Sequence, residues 1–300
     1  MRVFVTGASG YLGGAVARAL VAAGHAVTAL ARSDDAAARL TAEGLAVHRG
    51  DVHDPAGLTA AAARADGVVH VAVGGPRGVT DADGAALDAL VEGLAGRDAP
   101  LLLTSGLGVY AGSRAAVVDE ATPLDDAIPS QQPRVALEAR ALLAVERGVR
   151  AVVLRPAHVY GRGQAGLFTR MQIDYAVRAG AGAYVGDGAT PYATVHVDDL
   201  AAAYLAALER APAGSRYNLV GGTIPTREVA SAVSYAAGAG GRTVALTAAE
   251  ALAAWGPLAG TLMSAPLVAS LRAVADLRWT PRAASLPYEL VHGTLRQPSR

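Results

Sequence analysis

The first thirteen residues, Met1 to Gly13, read MRVFVTGASGYLG, and this stretch decides the fold of the chain. Arg2 to Thr6 is a short, mostly apolar run whose length predicts one buried strand. Glycines follow at positions 7, 10 and 13, and residues 14–23 are rich in alanine, leucine and valine, which indicates a helix. Strand, glycine turn and helix in this order are typical of a loop that binds the phosphates of a dinucleotide.

Each glycine of this loop has a physical reason to be there. Gly7 permits a tight turn out of the strand, Gly10 leaves room for a pyrophosphate, and Gly13 lets the helix pack closely on the sheet. The first turn of the helix then offers free N–H groups and the positive end of its dipole to the phosphates. The alternative is a glycine-rich turn without a ligand. The predicted cofactor-binding residues of the loop are Gly7, Ser9, Gly10, Tyr11, Leu12 and Gly13.

The composition bounds the classes of protein to which the chain can belong. It has 300 residues, is 52% hydrophobic and 17% charged, and carries a formal net charge of +0, which gives no electrostatic case for binding nucleic acid or an anionic membrane. We find no apolar run long enough to cross a bilayer and no signal-peptide pattern, so the expected location is the cytoplasm. The absence of cysteine excludes disulfides, thiolate nucleophiles and zinc–thiolate sites. All 26 basic residues are arginine, which excludes every mechanism that needs a lysine.

Strand and helix patterns alternate as far as about residue 156. They predict a doubly wound parallel α/β sheet of the Rossmann type, with ligands at the carboxyl ends of its strands. Beyond that point glycine and proline interrupt shorter elements. We therefore expect a dinucleotide-binding domain over 1–165 and a smaller, mostly substrate-binding domain over 166–300, some of whose segments return to the sheet. The predicted strands are 2–6, 25–31, 45–49, 67–73, 100–104, 150–155 and 216–220, and the main predicted helices are 14–23, 36–43, 55–65, 82–96, 133–147, 167–178, 198–209, 225–237 and 247–255.

The end of the second predicted strand bears on the choice of cofactor. Arg32 and Ser33 stand there, where an acidic residue would bind the ribose 2′-OH of NAD and an arginine suits a 2′-phosphate. This favours NADP, and the alternative is a solvated arginine after a strand. Further predicted cofactor contacts follow other strands: Asp51, Val52, Ala72, Val73, Thr104 and Pro156.

Further motifs along the chain resemble the extended short-chain dehydrogenase/reductase family, in its NAD-dependent epimerase/dehydratase group. The resemblance covers most of the chain and implies a Rossmann fold and a nicotinamide cofactor. It is carried by TGASGYLG from Thr6, Gly50-Asp51-Val52, the strand 68–73, the segment 104–110, Leu154-Arg155-Pro156, Val159-Tyr160-Gly161, Gly186-Asp187-Gly188, the segment 195–199, Tyr217-Asn218-Leu219 and the segment 277–281.

The catalytic positions of that family do not match. The resemblance implies a Ser or Thr, a Tyr that acts as acid or base, and a Lys four residues after the Tyr. Those positions fall here on Gly106, Arg134 and Glu138, so the chain resembles an atypical subgroup that lacks the Tyr-x-x-x-Lys pair. Arg134 stays protonated and cannot give a proton as Tyr does, but it can bind a substrate oxyanion. The alternative is a surface ion pair between Arg134 and Glu138, four residues apart on a helix.

Other residues near the expected nicotinamide site are candidates for the chemistry. His158 follows the sixth strand and is our first choice for acid or base because histidine titrates near physiological pH. Ser105 can donate a hydrogen bond, and Tyr110 can act as donor or acid. The alternatives are a structural histidine, a loop hydroxyl bonded to backbone, and a packed aromatic. The predicted catalytic residues are therefore Ser105, Arg134, His158 and Tyr110, the predicted substrate contacts are Tyr160 and Tyr192, and we predict no metal site.

These observations leave three functions open. The first is an NADP-dependent oxidoreductase that transfers hydride to an activated C=O, C=C or C=N bond of a small, largely uncharged organic substrate. The second is a non-redox isomerase, lyase or cyclase, and the third is a nucleotide-sensing protein without turnover. The expected partners are a small-molecule substrate and a second copy of the chain in a homodimer, with neither nucleic acid nor membrane.

Overall fold

The computed structural model describes residues 1–73 and 78–295. The strands are β1 (Arg2–Thr6), β2 (Ala26–Ala31), β3 (Ala46–Arg49), β4 (Gly67–His70), β5 (Ala99–Thr104), β6 (Val117–Val118), β7 (Val149–Pro156), β8 (His158–Gly161), β9 (Gln164–Ala165), β10 (Gly182–Val185), β11 (Pro191–His196), β12 (Arg216–Leu219), β13 (Gly222–Pro225), β14 (Thr243–Leu246) and β15 (Leu267–Val268).

The helices connect these strands. They are α1 (Tyr11–Ala22), α2 (Asp34–Ala42), α3 (Pro55–Ala63), α4 (Asp81–Leu94), α5 (Gln132–Leu143), α6 (Leu167–Ala179), α7 (Val197–Arg210), α8 (Thr226–Ala236), α9 (Ala248–Trp255), α10 (Ala259–Met263), α11 (Leu271–Leu277) and α12 (Leu286–Val291), with 3₁₀ helices at Leu107–Tyr110, Ala144–Arg147 and Gly256–Leu258.

Seven strands form the central sheet in the order β12-β7-β5-β4-β1-β2-β3, and every neighbouring pair is parallel. This confirms the predicted doubly wound Rossmann-type sheet. Since β2 and β4 lie on opposite sides of β1, the strand order reverses at β1. The crevice at its carboxyl end is where such a sheet binds a ligand.

Alternation along the strands explains why helices cover both faces of the sheet. Val3 and Val5 of β1 belong to the core formed with α1 and α7, whereas Phe4 between them belongs to the core formed with α3, α4 and α5. Successive side chains of a strand point to opposite faces, so an all-apolar strand such as β1 must be covered on both.

A third core lies under the carboxyl edge of the sheet. It is built from α6, α8, α9 and α12 with β11, and its buried side chains include Ile173, Tyr192 and Trp255. β12, from the same half of the chain, pairs instead with β7 at the edge of the central sheet. The third core thus forms an apolar wall opposite the carboxyl ends of β5 and β7.

The ends of some elements differ from the predicted ones for identifiable reasons. β4 ends at His70 instead of residue 73, because its partner β1 ends at Thr6, which is in register with His70. α1 begins at Tyr11 instead of residue 14, since Gly10 already serves as its N-cap. The predicted helix 133–147 is α-helical to Leu143 and continues as a 3₁₀ turn. Over residues 1–73 and 78–295 no helix is long and apolar enough to cross a membrane, and no group of three His, Asp or Glu side chains is placed to hold a metal ion.

Candidate functional site

The glycine loop after β1 has the close approaches that its sequence predicts. Gly7 adopts a φ of +74°, and a Cβ there would lie 2.9 Å from the backbone nitrogen of Ala72 at the end of β4. A Cβ at Gly13 would overlap the carbonyl oxygen of Gly7. At Gly10 the nearest atom to an added Cβ is that same oxygen, at 3.3 Å, and the remaining side of the residue is open. The loop is therefore tightly packed at Gly7 and Gly13 and leaves free space beside Gly10.

The first turn of α1 is open to an anion. Gly10 is the N-cap, no side chain caps the helix, and its first turn contains no acidic residue. The free N–H groups and the dipole of this 12-residue helix favour a phosphate at that place. Ser9 and Gly10 are exposed beside it, Leu12 is half-buried, and Ala72 is tied to β1 by a 3.2 Å hydrogen bond from its N–H to Thr6. This cradle, which any added side chain would fill, fits the pyrophosphate of a dinucleotide.

The side chain of Tyr11 connects the loop to another part of the chain. Its hydroxyl donates to the carbonyl oxygen of Gly161 at 2.8 Å and lies 3.2 Å from that of Gln164, in the β8–β9 hairpin. Burial raises the pKa of this hydroxyl well above its usual range. Because the side chain is held by the hairpin, the backbone N–H of Tyr11 is the group left to meet a phosphate.

The end of β2 presents one exposed cation. The Arg32 side chain is 77% exposed, and its Nε lies 3.9 Å from a carboxylate oxygen of Asp51. Ser33 is the N-cap of α2, where its hydroxyl accepts from Ala36 at 3.2 Å, and Val52 beside Asp51 is half-buried. Arg32 is thus available to a ligand, whereas the hydroxyl of Ser33 serves the helix.

A cavity of about 720 Å³ opens at the carboxyl ends of β5 and β7. The predicted residues Ser105, Arg134, Pro156 and His158 all line it. Most of the other lining side chains are apolar and come from the 3₁₀ turn after β5, from α6, from β11 and from the segment 255–268: Leu107, Leu167, Phe168, Pro191, Ala193, Trp255, Pro257, Leu258, Pro266 and Val268.

Arg134 is the one formally charged side chain among the described residues that line this cavity. It is half-buried, and burial lowers the pKa of its guanidinium, although the charges of Glu138 and Asp83 oppose that shift. No described residue lies within salt-bridge distance of it. The ion pair with Glu138 that the spacing allows is therefore not formed, because Glu138 turns inward to a different arginine.

That arginine is Arg155, near the end of β7. The Glu138 and Arg155 side chains are 3% and 1% exposed, and the Arg155 guanidinium contacts the carboxylate at 2.6 Å through Nη2 and at 3.1 Å through Nε. Burial alone would lower the pKa of Arg155, but the hydrogen bonds and charge of Glu138 raise it. A buried pair with this many contacts keeps both groups ionised.

Ser105 completes the pair on the cavity side. Its hydroxyl donates to Oε1 of Glu138 in a short hydrogen bond, and the residue is 8% exposed. The expectation that Ser105 donates to a substrate is therefore not met while this bond is in place, because a serine has one hydroxyl hydrogen and Glu138 takes it.

Tyr110 lies behind the cavity wall. It is 1% exposed, and its hydroxyl bonds to the Asp119 carbonyl oxygen at 2.8 Å and the Asn218 side chain at 3.0 Å while it accepts from Arg155. Burial raises the pKa of this hydroxyl. The hypothesis that Tyr110 acts directly as donor or acid does not fit this position, and the alternative of a packed aromatic does.

His158 lines the cavity as a neutral ring. It stacks on Tyr192 with ring centroids 4.2 Å apart and meets the Phe168 ring edge-on at 4.9 Å. Burial among these rings lowers the pKa of His158 to about 4. The expectation of a histidine that titrates near physiological pH is thus wrong for this ring, which instead presents one N–H donor and one acceptor nitrogen at neutral pH.

The two predicted substrate contacts support the walls from behind. The Tyr160 hydroxyl donates to the Ala284 carbonyl oxygen at 2.7 Å, and the Tyr192 hydroxyl bonds to Thr169 at 3.0 Å. Burial raises the pKa of Tyr160 to about 12. Neither is among the described lining residues, and the predicted cofactor contact Thr104 is likewise buried, where it accepts from Tyr204 at 2.8 Å.

Sequence reasoning missed part of the site. Gln131 lines the cavity as the N-cap of α5, three residues before Arg134, a spacing from which it could have been found. The sequence patterns place Arg155 only within a motif, although an arginine inside a buried strand signals an ion pair. Nothing in the sequence pointed to Phe168 or Trp255 as cavity walls.

The family model described as "NAD dependent epimerase/dehydratase family" matches residues 3–220. A relative from Schizosaccharomyces pombe (strain 972 / ATCC 24843), called an uncharacterized protein, is 34% identical over 239 residues, which are 78% of this chain and 79% of the relative. A Stigmatella aurantiaca relative, 31% identical over 237 residues (74% of this chain, 69% of the relative), is named 4-hydroxy-2-methyl-3-oxo-4-farnesyl-3,4-dihydroquinoline-1-oxide ketoreductase.

A solved structure shares the whole fold. It is the dTDP-glucose 4,6-dehydratase DesIV from Streptomyces venezuelae, as a double mutant with NAD bound. The TM-score is 0.78 at 20% identity, and the match covers 98% of this chain and 96% of that chain.

Proposed function

The chain belongs to the NAD dependent epimerase/dehydratase family, and from that premise we propose that it is an NADP-dependent reductase. Its substrate would be an apolar organic molecule with an activated C=O, C=C or C=N bond. When bound, NADPH would supply the hydride, and the glycine loop with the first turn of α1 would hold its pyrophosphate.

One observation carries the proposal, namely that Arg134 lies in the wall of an apolar cavity with no salt-bridge partner among the described residues. Hydride addition leaves negative charge on the acceptor, and a fixed guanidinium in a water-poor site stabilises charge that develops next to it. The neutral His158 ring can add one N–H donor to the same oxygen. Glu138 does not form an ion pair with Arg134, because its carboxylate is bound by Arg155.

The chemistry of arginine restricts the class of substrate that can accept the hydride. Arg134 binds an anion but has no proton to give at neutral pH. The substrate that suits this site best is therefore one whose reduced form is a stabilised anion, such as a quinone-like or enone group, because such an anion can leave and take its proton from water.

The name of the Stigmatella aurantiaca relative supports reduction of a carbonyl group. That protein is named as a ketoreductase of a compound that carries a 3-oxo group, a 4-hydroxy group and a farnesyl chain. An apolar body with one reducible carbonyl also suits the lining of the cavity in this chain.

The preference for NADP rests on Arg32. The side chain is largely exposed at the end of β2, and residues 32 and 33, which directly follow that strand, are not acidic. A guanidinium pairs with a phosphate through two parallel hydrogen bonds, so a 2′-phosphate would gain a charged partner.

Stopped-flow absorbance of the nicotinamide tests the function. NADPH is mixed with the protein and with 1,4-naphthoquinone or 2-cyclohexen-1-one, and we expect loss of the reduced-nicotinamide band in the wild type. Arg134→Gln should slow that loss by at least about tenfold, since one charged partner of the developing anion is removed. Arg170→Ala, which removes an exposed arginine of α6, is the matched control and should leave the rate unchanged.

Two other functions remain as candidates, each with its own result. Loss of both the Tyr and the Lys of the family motivates a non-redox isomerase, lyase or cyclase, which would form product with no change in nicotinamide absorbance. The intact glycine loop beside those replaced positions motivates a nucleotide sensor, which would bind NADPH and form no product. The cytoplasmic location, the homodimer, the division into domains at about residue 165 and the residue roles in the cofactor site stay predictions.

A further inference from the structure

Ser105 presents a hydrogen-bond acceptor to the cavity. The carboxylate of Glu138 can only accept, so the hydrogen of the bond between them belongs to Ser105. With that hydrogen turned into the wall, the serine oxygen keeps its lone pairs for the cavity, which Ser105 lines.

Buried contacts on the far side hold Glu138 in this role. Arg155 binds both carboxylate oxygens, and its remaining terminal nitrogen donates to Tyr110. The guanidinium carbon of Arg155 also lies 5.1 Å from the centre of the Tyr110 ring. A carboxylate fixed on two sides, with almost no access to water, cannot turn away from Ser105 without leaving a buried charge unpaired.

A donor stands next to this acceptor. Arg134 and Glu138 are four residues apart on α5 and so lie on one face, about 6 Å apart at their Cβ atoms. Ser105 touches Glu138, and Arg134 lines the same cavity without an acceptor of its own among the described residues. The wall therefore offers one acceptor and one cationic donor as neighbours.

We propose that this pair selects an enone or quinone-like acceptor that carries a hydroxyl on the carbon next to its carbonyl. The substrate hydroxyl donates to Ser105 and the adjacent carbonyl oxygen accepts from Arg134, while the apolar body fills the cavity. Glu138 and Arg155 are positioning residues that fix the direction of the Ser105 hydrogen bond. This substrate class rests on the reductase proposed above.

Binding of matched ketones tests the proposal without any turnover. Benzoin carries a hydroxyl beside its carbonyl, deoxybenzoin lacks that hydroxyl, and benzoin methyl ether keeps the oxygen but has no hydrogen to donate. Isothermal titration calorimetry, with and without NADP⁺, should show benzoin binding roughly three- to tenfold more tightly than deoxybenzoin, the range for one neutral hydrogen bond. Benzoin methyl ether should bind no better than deoxybenzoin.

Variants separate the acceptor role from mere packing. In Ser105→Ala the ratio of the affinities for benzoin and deoxybenzoin should fall to about one. Ser234→Ala should keep the wild-type ratio. It changes a buried serine of α8 whose hydroxyl has no partner in the described chain. In Glu138→Gln the amide can donate to the Ser105 oxygen, which frees the Ser105 hydroxyl hydrogen to point into the cavity. The affinity for benzoin methyl ether should then rise relative to the affinity for benzoin.

Equal binding of benzoin and deoxybenzoin by the wild type overturns the proposal. So does a preference that survives in Ser105→Ala, or the absence of binding by all three ketones. A selective protein that never oxidises NADPH would instead contradict the reductase and leave the acceptor role of Ser105 in place.

Discussion

Glu138 and Arg155 form a buried ion pair at the level of the cavity wall, with Nη2 of Arg155 2.6 Å from Oε2 of Glu138. The resemblance of the sequence to the short-chain dehydrogenase/reductase family places the Lys of that family at the position of Glu138. A buried carboxylate there reverses the sign of the charge and requires a buried cation opposite it.

Breaking the pair should destabilise the fold strongly. We expect Glu138→Ala to lower the free energy of unfolding by about 3–5 kcal/mol, because Arg155 is left as an uncompensated buried charge. Chemical denaturation measures this loss. Glu92→Ala is the control, since it removes an ion pair with Arg147 whose side chains are 63% and 45% exposed, and it should cost no more than about 1 kcal/mol. Equal effects of the two variants would contradict the prediction.

Restoring the family residues should not improve the reaction. In Arg134→Tyr with Glu138→Lys, the new lysine meets Arg155 in a space without water, and Tyr removes the charge that would stabilise the developing anion. We expect lower stability and no gain in turnover with the quinone or enone probes. Thermal unfolding and stopped-flow rates of the double variant and of Arg134→Tyr alone measure both effects. A large rate increase would show that the protein uses the ordinary mechanism in weakened form.

Gly10→Val should abolish nucleotide binding and leave the fold intact. An added Cβ meets only the Gly7 carbonyl oxygen, at 3.3 Å, so the side chain extends into the space left for the pyrophosphate. Calorimetric titration with NADPH, together with circular dichroism, measures both properties. Gly222→Val is the control, because nothing lies within 4 Å of a Cβ there, and Gly13→Ala should instead disturb the fold. Normal binding by Gly10→Val would place the phosphates elsewhere.

Arg32 should set the preference between cofactors. We expect NADPH to bind more tightly than NADH, and Arg32→Ala to weaken NADPH binding by roughly tenfold while NADH binding stays nearly unchanged. Titration of both cofactors against wild type, Arg32→Ala and the control Arg170→Ala measures the difference. Equal affinities for the two cofactors in the wild type would refute this role.

Two buried histidines should make the fold sensitive to mild acid. Burial lowers the pKa values of both His70 and His158 to about 4 from the ordinary 6.5. Between pH 4 and pH 6.5 the unfolded chain therefore binds more protons than the folded chain. The contribution of the two histidines to the free energy of unfolding is present above about pH 6.5 and is lost as the pH falls towards 4. Denaturation at several pH values should show falling stability over this window. His158→Phe keeps an aromatic ring against Tyr192 and should reduce the slope of the free energy of unfolding against pH. An unchanged slope would show that His158 titrates normally.

Local patterns were enough to predict the central sheet and the phosphate loop. β1, the turn at Gly7 and the start of α1 are contiguous, so one short stretch contains all the information that they need. The parallel order followed because strands and helices alternate, and a parallel connection needs a crossover helix.

The contacts that decide the chemistry are not local. Glu138 and Arg155 are 17 residues apart and lie on a helix and on a strand, so spacing along the chain gave no sign that they pair. The pKa of His158 depends on Tyr192 and Phe168, which reach it from other elements. Tyr110 was expected in the loop beside the ligand, and only the folded chain shows that its ring points to Arg155 and Asn218 instead.

The buried pair also restricts how the sequence can change over generations. A lone replacement of Glu138 by lysine puts two cations together without water, and a lone replacement of Arg155 leaves a carboxylate with no cation. Each of these single replacements therefore lowers the stability of the fold. Because Glu138 and Arg155 depend on each other in this way, the apolar wall around the cavity can change in sequence more readily than the polar centre behind it.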